Sequence, residues 1–213
     1  MTRCLKFSPR CLKYSSRKVH EDRQQEPGNE DDGPWTKLTV WRKSLIFSCK
    51  GFTVIDSTGS LVFRVDNYAG SPEEVTLMDG SGSPVLTMRH RKKLRLVDNW
   101  LVYEGEIGDH SSKKPINCVR KHVDILRPCS KVLARVYRRP SDKKFAYTIE
   151  GSYVHRSCRV LDESKQVVAE IQRKESVHGG VSFGLEVFLL IVRPGFCLNF
   201  PMAMVLILDQ MFS

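Results

Sequence analysis

The sequence predicts a mainly β protein, a barrel or a sandwich, built around one buried helix at the carboxyl terminus. Short runs of alternating apolar and polar residues, separated by turn residues, fill most of the chain after Trp35, and they amount to about a dozen candidate strands. The last residues are instead apolar almost without interruption. Because the candidate strands follow one another at close spacing, the pattern excludes a doubly wound α/β sheet.

The carboxyl-terminal segment is predicted to be a helix that water does not reach. Its apolar residues cover the whole circumference of a helix, and such a helix must be surrounded by protein or lipid. We predict Asn199 as the N-cap and Pro201 in the first turn, where the missing N–H is not needed. The residues predicted to fill the core are Met202, Met204, Val205, Leu206, Ile207, Leu208, Met211 and Phe212.

A membrane span is the alternative interpretation of the apolar runs near this end. A spanning helix needs about 20 apolar residues in line. The runs at 183–192 and 202–208 are shorter, and an Arg-Pro-Gly sequence at 193–195 interrupts any helix between them. We therefore predict no transmembrane span.

Residues 1–34 differ in composition from residues 35–213 and are predicted to be a disordered tail. Six basic residues up to Lys18 precede six acidic residues between Glu21 and Asp32. An organelle-targeting segment and acylation of Cys4 and Cys11 are alternatives. The tail is nearly neutral, so +9 of the formal net charge of +10 belongs to the domain predicted at residues 35–213.

The cysteines and the amino terminus indicate a protein that stays inside the cell. The chain begins without an apolar secretory leader, and its seven cysteines contain no C-x-x-C pair. This set supports neither a disulfide framework nor a zinc site, so we expect reduced thiols, most of them buried. The expected location is the cytoplasm, with a peripheral place at the plasma membrane or a nuclear place as alternatives.

Three turns share one pattern, an Asp followed by small polar residues between two apolar runs. They begin at Asp56, Asp79 and Asp162. The carboxylate can accept hydrogen bonds from its own turn, and Gly59 or Gly82 can take the left-handed conformation. Each turn is predicted to join a β-hairpin. The alternation of an apolar with a mixed face is clearest at 61–66, 132–137 and 167–172.

Several short motifs, in order along the whole domain, resemble those of the plant LURP-one-related proteins. They are LTVWRKSL at 38–45, GFTVID at 51–56, VDNY at 65–68, WLVY at 100–103 and DQMF at 209–212. The resemblance implies a closed antiparallel barrel of about 12 strands around a central carboxyl-terminal helix, as in the tubby carboxyl-terminal domain and the phospholipid scramblases. One position departs from the expected Pro-Gly-Phe-Asp, because Cys197 stands in place of the Asp.

Catalytic and metal-ligating patterns do not fit this fold. Gly180, Ser182 and Gly184 match the nucleophile elbow G-x-S-x-G, but the elbow needs a helix after it and a later histidine. Residues 185–192 are predicted to be strand, and no histidine follows His178. The six histidines show no metal-ligand spacing, and the sequence from Asp79 to Gly82 matches neither a nucleotide loop nor a calcium loop. We expect no enzyme, no cofactor and no metal.

The strongest surface feature is a basic segment at residues 89–95, predicted to be a turn between the strands around Leu86 and Leu96. Five positive charges in seven residues attract phosphate groups. A solvated hairpin tip and a nuclear address are the alternatives. Smaller basic groups follow at Lys113, Lys114, Arg138, Arg139, Lys143 and Lys144. The predicted ligand residues of the segment are Arg89, Arg91, Lys92, Lys93 and Arg95.

Two hypotheses for function follow. The first is a non-enzymatic, monomeric binding module that docks on anionic phospholipid headgroups, since tubby-like domains hold phosphoinositides; the resemblance also implies a role in plant defence. The second is a scaffold that uses its basic surface for acidic proteins or nucleic acid. Few aromatic residues near 89–95 are placed to stack on bases, which makes nucleic acid the weaker partner.

Overall fold

Twelve antiparallel strands form a closed barrel in the computed structural model, which describes residues 33–46, 49–66, 73–92, 98–108, 113–123, 131–174 and 184–212. Each strand pairs with its neighbours in sequence, and β1 closes the barrel against β12. The strands are β1 Thr36–Trp41, β2 Phe52–Ile55, β3 Leu61–Val65, β4 Glu74–Asp79, β5 Pro84–Lys92, β6 Asp98–Glu104, β7 Asn117–Lys121, β8 Val132–Tyr137, β9 Tyr147–Ser152, β10 Ser157–Leu161, β11 Val167–Arg173 and β12 Val187–Val192. The predicted barrel of about 12 strands is confirmed. The predicted tail at residues 1–34 lies almost entirely outside the described residues.

The helix α1, Asn199–Phe212, runs through the barrel as its core. From Pro201 to Asp209 every residue of the helix is buried, and the buried set packs against the inward-facing side chains of the strands. The predicted core residues are all buried except Phe212, which is half-buried. The buried central helix predicted from its apolar circumference is therefore confirmed.

The start of α1 differs by one residue from the prediction. The N–H of Met202 donates to the carbonyl of Leu198, so Leu198 holds the cap position and Asn199 is the first helical residue. The prediction of Asn199 as N-cap was wrong. Pro201 lies in the first turn as predicted, at a position whose N–H would have no partner within the helix, so its missing N–H costs no helical hydrogen bond.

The simple strand order gives the barrel two distinct rims. Odd-numbered strands run towards one rim and even-numbered strands run away from it, because all neighbours are antiparallel. We call the rim where α1 begins the upper rim; there, the ring of Tyr147 lies 4.8 Å from that of Phe200. We call the rim where α1 ends the lower rim; there, the hydroxyl of Tyr153 donates to Asp209. The odd-numbered strands end at the lower rim.

The three Asp-containing turns are hairpins at the upper rim, as predicted. The Oδ1 atom of Asp56 accepts the backbone N–H groups of Thr58 and Ser60, and Asp79 and Asp162 accept equivalent bonds two and four residues ahead. Gly59 and Gly82 take positive φ values of 86° and 90°. Lys165 adopts the same left-handed conformation in the third turn, with φ 61°.

Candidate functional site

The predicted basic turn is strand over the part that the structure describes. Residues 89–92 belong to β5, so the prediction that they form a turn was wrong; the repeated positive charge obscured a strand that continues from Pro84. The β4 ladder ends at the pair Glu74–Arg89, whereas the β5–β6 ladder continues to Lys92–Asp98. Arg91 and Lys92 therefore lie up to about 10 Å beyond the last β4 pair, at the lower rim.

The side chains of this segment have different surroundings. Arg89 forms an ion pair with Glu74, with 2.6 Å between its Nη2 and the carboxylate. The ring of His90 stacks on buried Trp100, with centroids 4.9 Å apart. Arg91 is exposed. The side chain of Lys92, together with Lys93 and Arg95, lies outside the described residues, so the full set of predicted ligand residues stays a prediction.

The smaller basic groups lie at the opposite, upper rim. Arg138 and Lys144 both pair with Glu163, and the hydrogen bond from Lys144 is the main reason why the pKa of Glu163 is lowered. The Nζ of Lys113 donates to the carbonyls of Glu104 and Glu106. Arg138 and Lys144 thus link the β8–β9 connection to the β10–β11 turn, whereas Lys113 bonds within the β6–β7 connection. These cations form no single track with Arg91.

A surface cavity of about 410 Å³ lies beside one of these upper-rim groups. Lys113, Lys114 and Ile116 line it together with Glu104 and Gly105. Because the ammonium group of Lys113 donates to two carbonyl groups there, it stabilises the connection between β6 and β7.

A buried polar network closes the barrel where α1 ends. Asp209 accepts a hydrogen bond from the hydroxyl of Tyr153 at 3.0 Å and lies 3.1 Å from the Nε of Arg42. Arg42 extends towards solvent and reaches Glu186 at 3.6 Å. Burial lowers the pKa of Arg42, but Asp209 and Glu186 outweigh it and the pKa is raised, so the guanidinium stays charged. No local pattern in the sequence indicates these contacts, because Tyr153 and Arg42 lie 56 and 167 positions away from Asp209.

Arg156 fixes a second point of the lower rim. It is buried, and its guanidinium lies 4.2 Å from the ring of Tyr153 and 4.7 Å from that of Phe188. Its Nε donates to the carbonyl of Leu185 at 2.9 Å. These contacts tie the connection from β9 to β10 to the connection that precedes β12. They therefore fix the two connections relative to each other at the lower rim.

The β1–β2 connection is also held in place by specific hydrogen bonds. Buried Ser44 donates to Asp66 at 3.2 Å and accepts the backbone N–H of Ile46 at 3.0 Å. The hydroxyl of Thr53 donates to the carbonyl of Lys43 at 2.7 Å. With Ser44 anchored inward, the side chains of Leu45 and Ile46 are exposed.

The thiols show a range of exposure. Among the described cysteines, Cys118 and Cys158 are buried, Cys197 is half-buried and Cys49 is exposed. Burial raises the pKa of Cys158 to about 12, so its thiol stays protonated and unreactive at neutral pH. Cys197 lies in the connection between β12 and α1, which keeps its turn without the carboxylate expected at this position.

The catalytic and metal patterns can be compared with the structure over the described residues. Within that part of the chain, no group of three or more His, Cys, Asp or Glu side chains could hold a metal ion. Gly184 precedes the strand β12, so the helix that a nucleophile elbow requires does not follow it. The turn at 184–186 makes this strand shorter than the predicted 185–192. Over the same residues, no helix has the length and apolar content needed to cross a bilayer.

Comparison with known proteins identifies the family. Residues 36–209 match the LURP-one-related family over a stretch that contains all twelve strands and most of α1. The chain belongs to the LURP-one-related family. LURP-one-related protein 17 of Arabidopsis thaliana is 46% identical and aligns with 95% of this chain and 98% of its own length. LURP-one-related protein 8 of the same plant is 51% identical over 82% of this chain and 86% of its own length.

A solved structure has the same architecture as this LURP-one-related chain. The crystal structure of a protein from Arabidopsis thaliana superposes with a TM-score of 0.60 at 25% sequence identity. The match covers 84% of this chain and 91% of that one. The family match and the two relatives confirm the sequence-based resemblance to LURP-one-related proteins, and the solved structure shares the fold.

Proposed function

We propose that this protein is a non-enzymatic binding module that docks peripherally on membranes containing anionic lipids, phosphoinositides above all. The observation that supports it best is the basic end of the β5–β6 hairpin, which extends Arg91 and Lys92 past the last pair with β4 at the lower rim. On the β4 side the ladder stops before these cations, whereas on the other side Asn99, the partner of Arg91, still pairs with β7. Exposed Arg91 can therefore meet a charged surface from the β4 side.

The chemical class of the ligand follows from the charge of the segment. Arg89, Arg91 and Lys92 are followed in the sequence by Lys93 and Arg95, and clustered guanidinium and ammonium groups suit phosphate headgroups of high charge. Arg89 is already paired with Glu74, so Arg91 is the described member best placed to meet lipid. The proposed relation to tubby-like and scramblase proteins, and a regulatory role in plant defence, rest on the family resemblance.

The nucleic-acid alternative has less support from the arrangement of charge. A nucleic-acid binder needs cations along a continuous track. Here Arg91 lies at the lower rim, while the groups around Lys113 and Lys143 lie at the upper rim on the far side of the barrel. Acidic proteins remain the alternative partners of the basic surface.

Vesicle sedimentation at two salt concentrations tests the proposal. The full-length protein is mixed with neutral phosphatidylcholine vesicles and with vesicles that also contain phosphatidylinositol bisphosphate. We expect binding to the anionic vesicles alone, weaker at higher salt. The combined variant Arg91→Glu, Lys92→Glu, Lys93→Glu should bind roughly a hundredfold more weakly, since each surface charge contributes about 1 kcal/mol.

The upper rim provides the matched control. Lys114, Arg139 and Lys143 are exposed, so changing all three to Glu alters the net charge by the same amount. We expect that variant to keep most of its binding. Equal binding to neutral and anionic vesicles, or an equal loss in both variants, would contradict the proposal; tight, salt-sensitive binding to DNA without lipid preference would favour the nucleic-acid alternative.

A further inference from the structure

The exposed apolar side chains are distributed unequally between the two rims. Eight large apolar side chains are exposed among the described residues, and six of them lie at the lower rim. Trp35 and Ile116 are the two at the upper rim. The six at the lower rim are Trp41, Leu45, Ile46, Val123, Val154 and Leu185. This uneven distribution singles out the lower rim as the end of the barrel where a partner would cover apolar side chains.

These six side chains come from four separate connections of the barrel. Trp41, Leu45 and Ile46 belong to the passage from β1 to β2, and the others follow β7, β9 and β11. They share an end of the molecule but not a sheet face. A protein partner would need a surface shaped to several separate loop tips, whereas a bilayer interface requires only that the tips reach the same depth.

The apolar side chains are accompanied by exposed cations. The Nζ of Lys43 lies 5.3 Å from the ring centre of Trp41, and Lys50, Arg91 and Lys131 are exposed at the same rim. A tryptophan ring beside a lysine suits the boundary between headgroups and acyl chains, where the ring is buried and the ammonium stays with the phosphates.

Carboxylates near this rim are largely engaged with arginines. Asp66 pairs with Arg64, Glu74 with Arg89, and Glu186 with Arg42. Because these pairs neutralise negative charge locally, the exposed lysines and Arg91 complement an anionic surface. The hydrogen bonds of Ser44 keep Leu45 and Ile46 directed outward before any partner is bound, which reduces the ordering cost of docking.

We propose that the lower rim enters the headgroup region of an anionic bilayer, so that Trp41, Leu45 and Ile46 are buried in lipid and the barrel stands on the end where α1 stops. This inference deepens the proposed function and rests on it. It assigns an orientation and a second, apolar contribution to binding, and it places the upper rim, with Trp35 and Ile116, in the aqueous phase.

Tryptophan fluorescence tests the orientation with a control inside the chain. The chain has three tryptophans, and Trp100 is buried in the core, so Trp35 and Trp41, one at each rim and similarly exposed at 40% and 42%, can be compared. In the variant Trp35→Phe we expect emission to shift several nanometres to shorter wavelength with anionic vesicles and to be quenched by brominated lipids. In the variant Trp41→Phe we expect neither change.

The outcomes separate this inference from the proposed function. If the protein sediments with anionic vesicles but the emission of Trp41 does not shift, or the emission of Trp35 shifts instead, the proposed orientation is wrong while membrane binding stands. If the protein sediments with neither kind of vesicle, both the proposed function and this inference are overturned.

A matched pair of isoleucines gives a second measurement. Ile46 at the lower rim and Ile116 at the upper rim are each 44% exposed, so neither substitution to serine should prevent folding. We expect Ile46→Ser to weaken binding to anionic vesicles roughly tenfold, the lower end of the loss for one buried apolar side chain, since part of Ile46 is already covered in the free protein. We expect Ile116→Ser to leave binding unchanged. An equal effect of both substitutions, with unchanged thermal melting, would contradict the inference.

Discussion

Asp209 is the charged residue of α1, and its position explains how an apolar helix is fixed in register inside the barrel. Its side chain is 1% exposed, and the hydroxyl of Tyr153 and the guanidinium of Arg42 are among the groups that compensate its buried carboxylate. Apolar contacts change little when a helix shifts slightly along its axis. A buried carboxylate, in contrast, meets its hydrogen-bond partners at only one axial position of the helix. We infer that this group sets the depth to which the helix enters.

Substitution of Asp209 by alanine should therefore be costly. Asp209→Ala removes the buried carboxylate that accepts the hydrogen bond from the hydroxyl of Tyr153 and that pairs with Arg42. The side chain of Arg42 is one-third exposed, so its guanidinium regains some water. We expect the free energy of unfolding to fall by about 2–3 kcal/mol, measured by urea denaturation. Glu186→Gln is the control, since it removes the solvent-side partner of the same arginine and should cost less than about 0.5 kcal/mol. If the two variants lost the same free energy of unfolding, the buried position of Asp209 would add nothing to stability.

In each of the three Asp-containing hairpins of the upper rim, one carboxylate oxygen accepts the hydrogen bonds that hold the turn. The hydroxyl of Ser81 and the backbone N–H groups of Ser81 and Ser83 donate to the Oδ1 of Asp79. The hydrogen bond from Ser81 is the main reason why the pKa of Asp79 is lowered below its ordinary value of 3.8. Asp56 has the same arrangement with Thr58 and Ser60. The ionised carboxylate thus stabilises the turn, and the protonated acid does so less well.

The pH dependence of the variant Asp79→Ala follows from this shift. A depressed pKa in the folded state gives stability that is present above the unfolded value of 3.8 and is lost as the pH falls through the folded value. The melting temperature of the variant should lie a few degrees below that of the wild type at neutral pH, and the gap should narrow towards about pH 2. Ser83→Ala, which removes a hydroxyl that does not titrate, should give a gap independent of pH. A constant gap for Asp79→Ala would exclude the carboxylate as the stabilising group.

These elements show which parts of the fold the sequence predicts. The hairpins at Asp56, Asp79 and Asp162 were predictable because donor and acceptor lie within four residues of each other. The helix was predictable because its apolar circumference demands burial whatever surrounds it. The contact of Arg42 with Asp209 spans 167 positions and follows no local rule. The basic segment was found by its charge but misassigned as a turn. Its place at the same rim as Trp41 follows from the strand order of the closed barrel, which no local pattern shows.

At the scale of the molecule, barrel and helix depend on each other. The inward side chains of the strands pack against α1, and seven large apolar side chains of the helix, between Met202 and Met211, are buried. Their burial is worth roughly 10–20 kcal/mol at about 1.5–3 kcal/mol each. A typical domain has a net stability of about 5–15 kcal/mol. The barrel without α1 would hold an apolar cavity along its length and should not persist as a folded sheet.

Removal of residues 200–213 tests this dependence. Because the inner faces of the strands lose the partner that covers them, we expect the truncated protein to aggregate or to be cleaved rapidly by trypsin, and to lack a cooperative transition in calorimetry. Removal of residues 1–32 is the control, since the sequence predicts a polar tail there, and its melting temperature should match that of the full chain. A soluble protein that melts cooperatively without residues 200–213 would mean that the strands can close on themselves, and that the helix is an occupant of the barrel rather than its core.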